Sequence, residues 1–288
     1  MKSLLAILPL LLLFMGCYPE GDPVWDVKGE VYPDVGPQYQ EDVMNEEDFP
    51  LGGTVSHHLL AGQLIEDWFA ELKHHRQVRT FFILSPRHWD MGTGDYSISD
   101  GSWQTLLGRV DSDQDLVRAL STELECEVDR SAFVIEHGIR IFMPFIKKYF
   151  PNARVVAIDY KGEPPVNTPI AAKLWSSLSP YFQGVGIQDN FLLISTDYSH
   201  HADPEYTAFK DGRSRRFLSN PGLKTWNFVG CDNRPGIYVL AELAESLNKP
   251  NISVMYHSNS YLLSGQDRDD ITSYFFTYLL ESSTGLRP

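Results

Sequence analysis

Cysteine is scarce. The chain has three in 288 residues. Cys126 and Cys231 lie far apart, so no disulfide framework is on offer, and at most one bridge could form in an oxidising compartment. Positive charge is also in short supply: 24 Lys and Arg against 38 Asp and Glu give a formal net charge of −14. Phosphate backbones and anionic lipid are gripped by basic patches, and this composition excludes a nucleic-acid partner; the charge serves solubility. Long hydrophobic runs are missing too. The longest spans residues 4–15, short of the roughly 20 apolar residues that cross a bilayer. There is no internal repeat and no low-complexity block.

That short run sits behind Lys2 and ahead of Gly16-Cys17. A positive start, a brief apolar core and a small residue before cysteine resemble a secretory signal of the bacterial lipoprotein type. The expectation is a leader over residues 1–16, with Cys17 the lipidated first residue of an exported protein held at the cell envelope. Contact with the membrane would then run through the lipid alone. An ordinary secretory signal is the plainer alternative. Residues 17–50 carry Pro19, Pro23, Pro33, Pro37 and Pro50 among many acids, the composition of an extended arm. The folded domain is expected over residues 51–288.

Beyond Pro50, apolar runs alternate with helical patterns. Strands are expected at 53–56, 79–84, 153–158, 190–195 and 251–256. Helices are expected over 60–75, over 113–124 with Ser112 as cap, and over 138–149, where Pro144 bends the helix or marks its true start. Further helices fit 168–182, 205–219 and 236–248, the last opened by Pro235. Residues 86–108, rich in Gly, Asp and Ser, read as one long loop. Residues 271–280 are β-rich, with a final helix as the alternative. This alternation predicts an α/β domain of three layers, α/β/α, around a central, mostly parallel sheet.

In such sheets ligands bind beyond the carboxyl ends of the strands. Six of the nine histidines fall there: His57 and His58, His88, His200 and His201, and His257. His137 stands at a helix start beside Glu136. His74 and His75 end an amphipathic helix and are expected to be exposed. Imidazoles from separate strands can converge on a divalent metal, and one that does not ligate can move protons near neutrality. Spacing alone does not say which ligate.

Four segments carry a likeness: V-S-H-H-L-L-A-G at 55–62, F-I-L-S-P-R-H-W at 82–89, E-H-G-I-R-I-F-M-P-F-I at 136–146 and S-T-D-Y-S-H-H at 195–201. In this order they resemble the signature blocks of the Memo-like family, also called AmmeMemoRadiSam system protein B, which is similar in fold to class III extradiol ring-cleaving dioxygenases. The likeness implies metal-ligand positions at His57 and His88, with His58 in place of His57 if the first block is shifted by one. It implies acid/base or substrate-contact roles for His200, His137 and Asp197, and substrate contacts at Glu136 and Arg87.

The sequence departs from the family pattern in several places. Ser56 stands where the first block has proline, Ser85 where the second has glycine, Gly138 where the third has serine and Arg140 where it has glutamate. Some relatives place a third ligand, cysteine, after the last-but-one strand. The segment from His257 to Leu262 has none, and His257, Asn259 or Asp267 could stand in. The resemblance implies Fe(II) as the metal, with Cu or Zn as alternatives, and an oxidoreductase acting on a small organic molecule. A metal-activated hydrolase is a weaker idea. A non-catalytic, metal-free module binding a ligand or peptide on the same fold is the alternative of a different class.

Overall fold

The computed structural model describes residues 24–26, 40–89, 91–92, 94–161 and 168–281; Cys17 and the leader lie outside them. The strands are β1 (Val24–Asp26), β2 (Pro50–Val55), β3 (Thr80–Pro86), β4 (Tyr96–Ile98), β5 (Ser102–Thr105), β6 (Gly108–Ser112), β7 (Arg154–Tyr160), β8 (Asn190–Ser195), β9 (Tyr198–Ala202), β10 (Pro250–Asn259) and β11 (Ile271–Glu281). The helices are α1 (Gly62–His75), α2 (Gln114–Glu123), α3 (His137–Arg140), α4 (Met143–Tyr149), α5 (Thr168–Leu178), α6 (Gly186–Asp189), α7 (Pro204–Ser219), α8 (Arg234–Glu245) and α9 (Ser260–Ser264). No helix among the described residues is long and apolar enough to cross a membrane.

The strands form one mixed sheet in the order β1-β5-β6-β7-β3-β8-β2-β11-β10, with β4 on β7 and β9 on β11. The run β6-β7-β3-β8-β2 is parallel throughout. Strands β7, β3 and β8 within it are buried on both faces, which is why they read as apolar runs. Successive side chains of β3 alternate between two cores. Phe81 and Ile83 pack with Leu64, Trp68 and Phe69 of α1 and with Phe145 of α4. Phe82 and Leu84 pack with Val117 of α2, Leu174 of α5 and Leu240 of α8. Helices therefore cover both faces, and the three-layer α/β arrangement is as expected.

Several sequence expectations need correction. Residues 86–108 are not one loop. They hold β4, β5 and the start of β6, short strands that pair on the flank of β7 or with each other. Three or four residues are too few for period-2 alternation to register. The cap of α2 is Asp113, whose side chain accepts from the Leu116 N–H, while Ser112 ends β6. The helix expected over 138–149 is two helices, and Pro144 lies in the first turn of the second. Residues 271–281 are strand. In β2 a Cβ on Gly53 would come within 2.0 Å of the Thr277 carbonyl oxygen. Glycine is needed there for β11 to approach.

The arm takes part in the sheet at both margins. β1 pairs in parallel with β5 at one end of the strand order. At the other end the Glu41 and Asp42 N–H groups donate to the Met255 and Val254 carbonyls of β10, and Glu41 grips Arg215 of α7 with both carboxylate oxygens, at 2.7 and 2.9 Å.

The parallel strands end in a common rim, which Asn233 ties together. Its Nδ2 donates to the Leu84 carbonyl of β3 at 3.0 Å and to the Ser195 carbonyl of β8 at 2.8 Å. Its Oδ1 accepts from the Tyr160 hydroxyl of β7 at 2.5 Å and from the Gly236 N–H at 2.9 Å, capping α8. All four hydrogen-bonding positions of one fully buried amide are used. Asn233→Ala is expected to lower unfolding stability by roughly 2–4 kcal/mol, because buried partners left unpaired cost about 1–3 kcal/mol each. A urea midpoint that falls with an unchanged m-value is the measurement that checks it.

Candidate metal centre

β8 lies between β3 and β2, so the segments leaving β2 and β3 flank its carboxyl end. This places His57, two residues past Val55, and His88, two past Pro86, on one rim. Their ring centres are 4.5 Å apart. His137, the first residue of α3, joins them with its ring centre 4.0 Å from that of His88 and 5.2 Å from that of His57. One nitrogen from each of the three imidazoles lies within 4.8 Å of the others, close enough to share a metal ion.

Two of the three rings are held from behind. His57 Nδ1 meets Ser195 Oγ at 2.9 Å. His88 Nδ1 meets Glu136 Oε1 at 2.7 Å, and its backbone N–H donates to Glu136 Oε2 at 2.9 Å. Glu136 is also the cap of α3, accepting from the Gly138 N–H at 2.8 Å. Expected as a substrate contact, it is a buried carboxylate spent on orienting His88. A carboxylate behind an imidazole is the usual support of a metal-ligating histidine.

The site contains an acid that the sequence reading passed over. Asp232 Oδ2 stands 3.2 Å from His57 Nε2 and 3.9 Å from His88 Nε2. Asp232 Oδ1 accepts from Thr196 Oγ1 at 2.8 Å and from the Asp197 N–H at 3.0 Å. Only its place directly before Asn233-Arg234-Pro235-Gly236, a helix opening beyond a turn, could have marked it.

The charges sort the groups. Burial opposes ionisation of Asp232, but His57 and His88 overcome it and hold the carboxyl far below its ordinary value. Burial also works against a charge on His57, and Asp197 with Asp232 outweighs it, so its pKa is raised. For His88 the same opposition ends with Asp232 and Glu136 lifting it to about 9. His137 goes the other way. Burial, then His88 and His57, push it down to about 4. Without a metal, the neighbouring acids favour a charge on two of the imidazoles, while burial and those two imidazoles disfavour one on the third.

The other expected residues are placed as follows. Asp197 is buried, accepts from Ser56 Oγ at 2.5 Å and lies 3.8 Å from His57 Nε2. His58 points elsewhere, to the Tyr274 hydroxyl at 2.6 Å, so the first block is not shifted. His200 on β9 borders a cavity of about 480 Å³ that reaches Asp232 and Cys231. Burial lowers its pKa, with Asp232 and Asp197 opposing in part. Arg87 is not free for a substrate: its guanidinium is taken up by buried Asp159 at 3.0 Å and by Ser97 Oγ at 2.8 Å.

His257 is not in the imidazole group. Its Nε2 meets Asp211 Oδ2 at 3.0 Å, its Nδ1 meets the Arg215 guanidinium at 3.0 Å, and its ring stacks on Phe275. Among the described residues the third imidazole is His137. Asn259 caps α9 instead. Cys126 and Cys231 are free thiols; burial and then the Asp232 charge push Cys231 up to about 12, which keeps it protonated. The His75 side chain is 2 % exposed, beside Glu71, and so is not the solvated group its helix-end position suggested.

Comparison with known proteins gives a consistent result. A family model described as "Memo-like protein" matches residues 56–263. A MEMO1 family protein of Pyrobaculum aerophilum is 25 % identical over 235 residues, covering 78 % of this chain and 81 % of that one. One of Sulfurisphaera tokodaii is 28 % identical over 204 residues, covering 68 % and 70 %. One of Caldivirga maquilingensis is 24 % identical over 188 residues, covering 64 % of this chain and 65 % of its own.

Two departures from the family pattern meet in space. A Cβ on Gly138 would lie 2.1 Å from Ser85 Oγ and 3.0 Å from His88 Cε1. The family's serine at the first position and its glycine at the second are thus exchanged here, and either residue excludes its counterpart across the contact. Gly138→Ser alone is expected to cost about 1–3 kcal/mol by overpacking. Ser85→Gly in the same chain should return at least about 1 kcal/mol of it as a coupling energy in a double-mutant cycle read by thermal melts.

Proposed function

The chain belongs to the Memo-like family, and on that footing we propose that it is a metalloprotein in which His57, His88 and His137 hold one divalent ion and serve an oxidoreductase acting on a small organic substrate. The observation that carries the reading is a pair of orphans: His88 Nε2 and Asp232 Oδ2 are both buried without a hydrogen-bond partner. Buried polar atoms are rarely left so, and a cation at this point would engage the nitrogen and neutralise the acid. Three imidazoles suit iron, copper or zinc. Fe(II) is the first choice, by the family likeness to ring-cleaving dioxygenases.

When bound, the ion would polarise a substrate oxygen and, as iron or copper, exchange electrons with it. The chain's own residues supply the rest. Glu136 and Ser195 fix the ring planes of His88 and His57. His200, whose pKa burial lowers, can accept a proton at its imidazole nitrogen from a molecule in the adjoining cavity.

The purified protein is expected to retain about one Fe, Cu or Zn per chain by elemental analysis, and His57→Ala/His88→Ala to abolish it. Chelation should lower the melting temperature, since a ligand bound only by the folded state adds stability. A metal-free protein whose melting ignores chelators would instead favour the binding-module alternative. Export and lipidation belong to the same proposal and rest on Lys2, the apolar run 4–15 and Gly16-Cys17. Cys17→Ala is expected to move the protein from the membrane fraction to the soluble one on fractionation; unchanged membrane retention would refute lipidation at that residue.

A further inference from the structure

The imidazole group lacks an anionic member, and the sequence offers no cysteine in the segment after β10 to supply one. We infer that Asp232 fills that place: its carboxylate is a direct ligand of the ion, alongside His57 and His88. The inference rests on the metal reading given above and adds to it the identity of the charged ligand.

The geometry leads there in three steps. The first concerns orientation. Glu136 is buried and meets the His88 ring at Nδ1, the His88 backbone N–H and the Gly138 backbone N–H. These contacts occupy His88 Nδ1 and leave Nε2 as the nitrogen free to ligate.

The second step concerns what faces that nitrogen. It is Asp232 Oδ2, 3.9 Å away, and neither atom has a hydrogen-bond partner. A proton does not bridge that gap, because hydrogen bonds to a carboxylate run at about 2.7–2.9 Å. A metal ion does. With nitrogen and oxygen ligands at about 2.0–2.2 Å, two ligand atoms on one ion stand roughly 3–4 Å apart. Both separations from Asp232 Oδ2, 3.2 Å to His57 Nε2 and 3.9 Å to His88 Nε2, fall in that interval.

The third step concerns rigidity. Asp232 has no freedom to be a casual counter-ion. Its Oδ1 is pinned by Thr196 Oγ1 and the Asp197 N–H, its own N–H donates to the Asp197 carbonyl at 3.1 Å, and the next residue is the fully bonded Asn233. One oxygen is bound from behind and the other is aimed at the imidazoles. That is the arrangement by which outer partners fix a ligating group.

The test uses the protein stripped with chelator and reloaded with Co(II), in a Cys231→Ser background so that the neighbouring thiol cannot contribute. Asp232→Asn keeps the size and the contacts of Oδ1 and loses the charged donor. It is expected to weaken Co(II) binding by more than about 100-fold, beyond the 10–100-fold that loss of an outer partner causes. Asp232→Cys is expected to bind Co(II) with a new thiolate-to-cobalt charge-transfer absorption, which arises only when the residue at 232 touches the ion. Asp232→Asn binding within about threefold of the parent, together with no such absorption in Asp232→Cys, would overturn the inference while leaving the metal reading intact. A parent protein that takes up no Co(II) at all would bring down that reading and this inference together. Circular dichroism on each variant separates loss of binding from loss of fold, and the absorption of the cysteine variant decides the matter if the asparagine variant unfolds.

Discussion

One buried amide holds the rim of this domain in place. Parallel strands end in free carbonyls and loops, and nothing in the ladder itself fixes how the ends of neighbouring strands stand to one another. Asn233 does so here, bonding the Leu84 carbonyl near the end of β3, the last carbonyl of β8, the Tyr160 hydroxyl of β7 and the first turn of α8. The metal candidates hang from that frame. His88 leaves β3, Ser195 ends β8 and backs His57, and Asp232 directly precedes the asparagine. Change the frame and all of these groups lose their mutual distances at once.

The electrostatics follow from the same placement. Two carboxylates, Glu136 behind His88 and Asp232 between His57 and His88, are buried among imidazoles instead of solvated. Each such acid carries a desolvation cost that only nearby positive charge offsets. In the apo chain His57 and His88, whose pKa values these acids raise, provide it. In a loaded chain an ion would, with protons released on binding.

How much of this was legible in the residues depends on length and on locality. β3, β7 and β8 announce themselves because they are buried on both faces. β4 and β5 do not, because each is three or four residues long and owes its existence to the flank of β7 or to its hairpin partner. The rim histidines were readable from their positions just past strands, and the family blocks singled out His57 and His88. The third imidazole was legible as a site residue but not as a ligand candidate: His137 sits at a helix start, and packing of α3 against β3 brings it over. Asp232 was hidden for the same reason, since its meaning comes from what Asn233 bonds. Arg87 and His257 misled because a charged or titratable group near a strand end looks alike whether it faces a cavity or, as these do, an internal partner.

The arm has a consequence for how the molecule lives beside copies of itself. A sheet with two open margins offers two rows of unsatisfied amide groups, each a template for a stranger's chain. Here the segment ahead of the domain occupies both, through β1 on β5 and through Glu41 and Asp42 on β10. Trimming by a protease between Asp26 and Val43 would bare one border or both. What reads as a mere spacer is therefore also the hem that keeps the fabric from fraying into its neighbours.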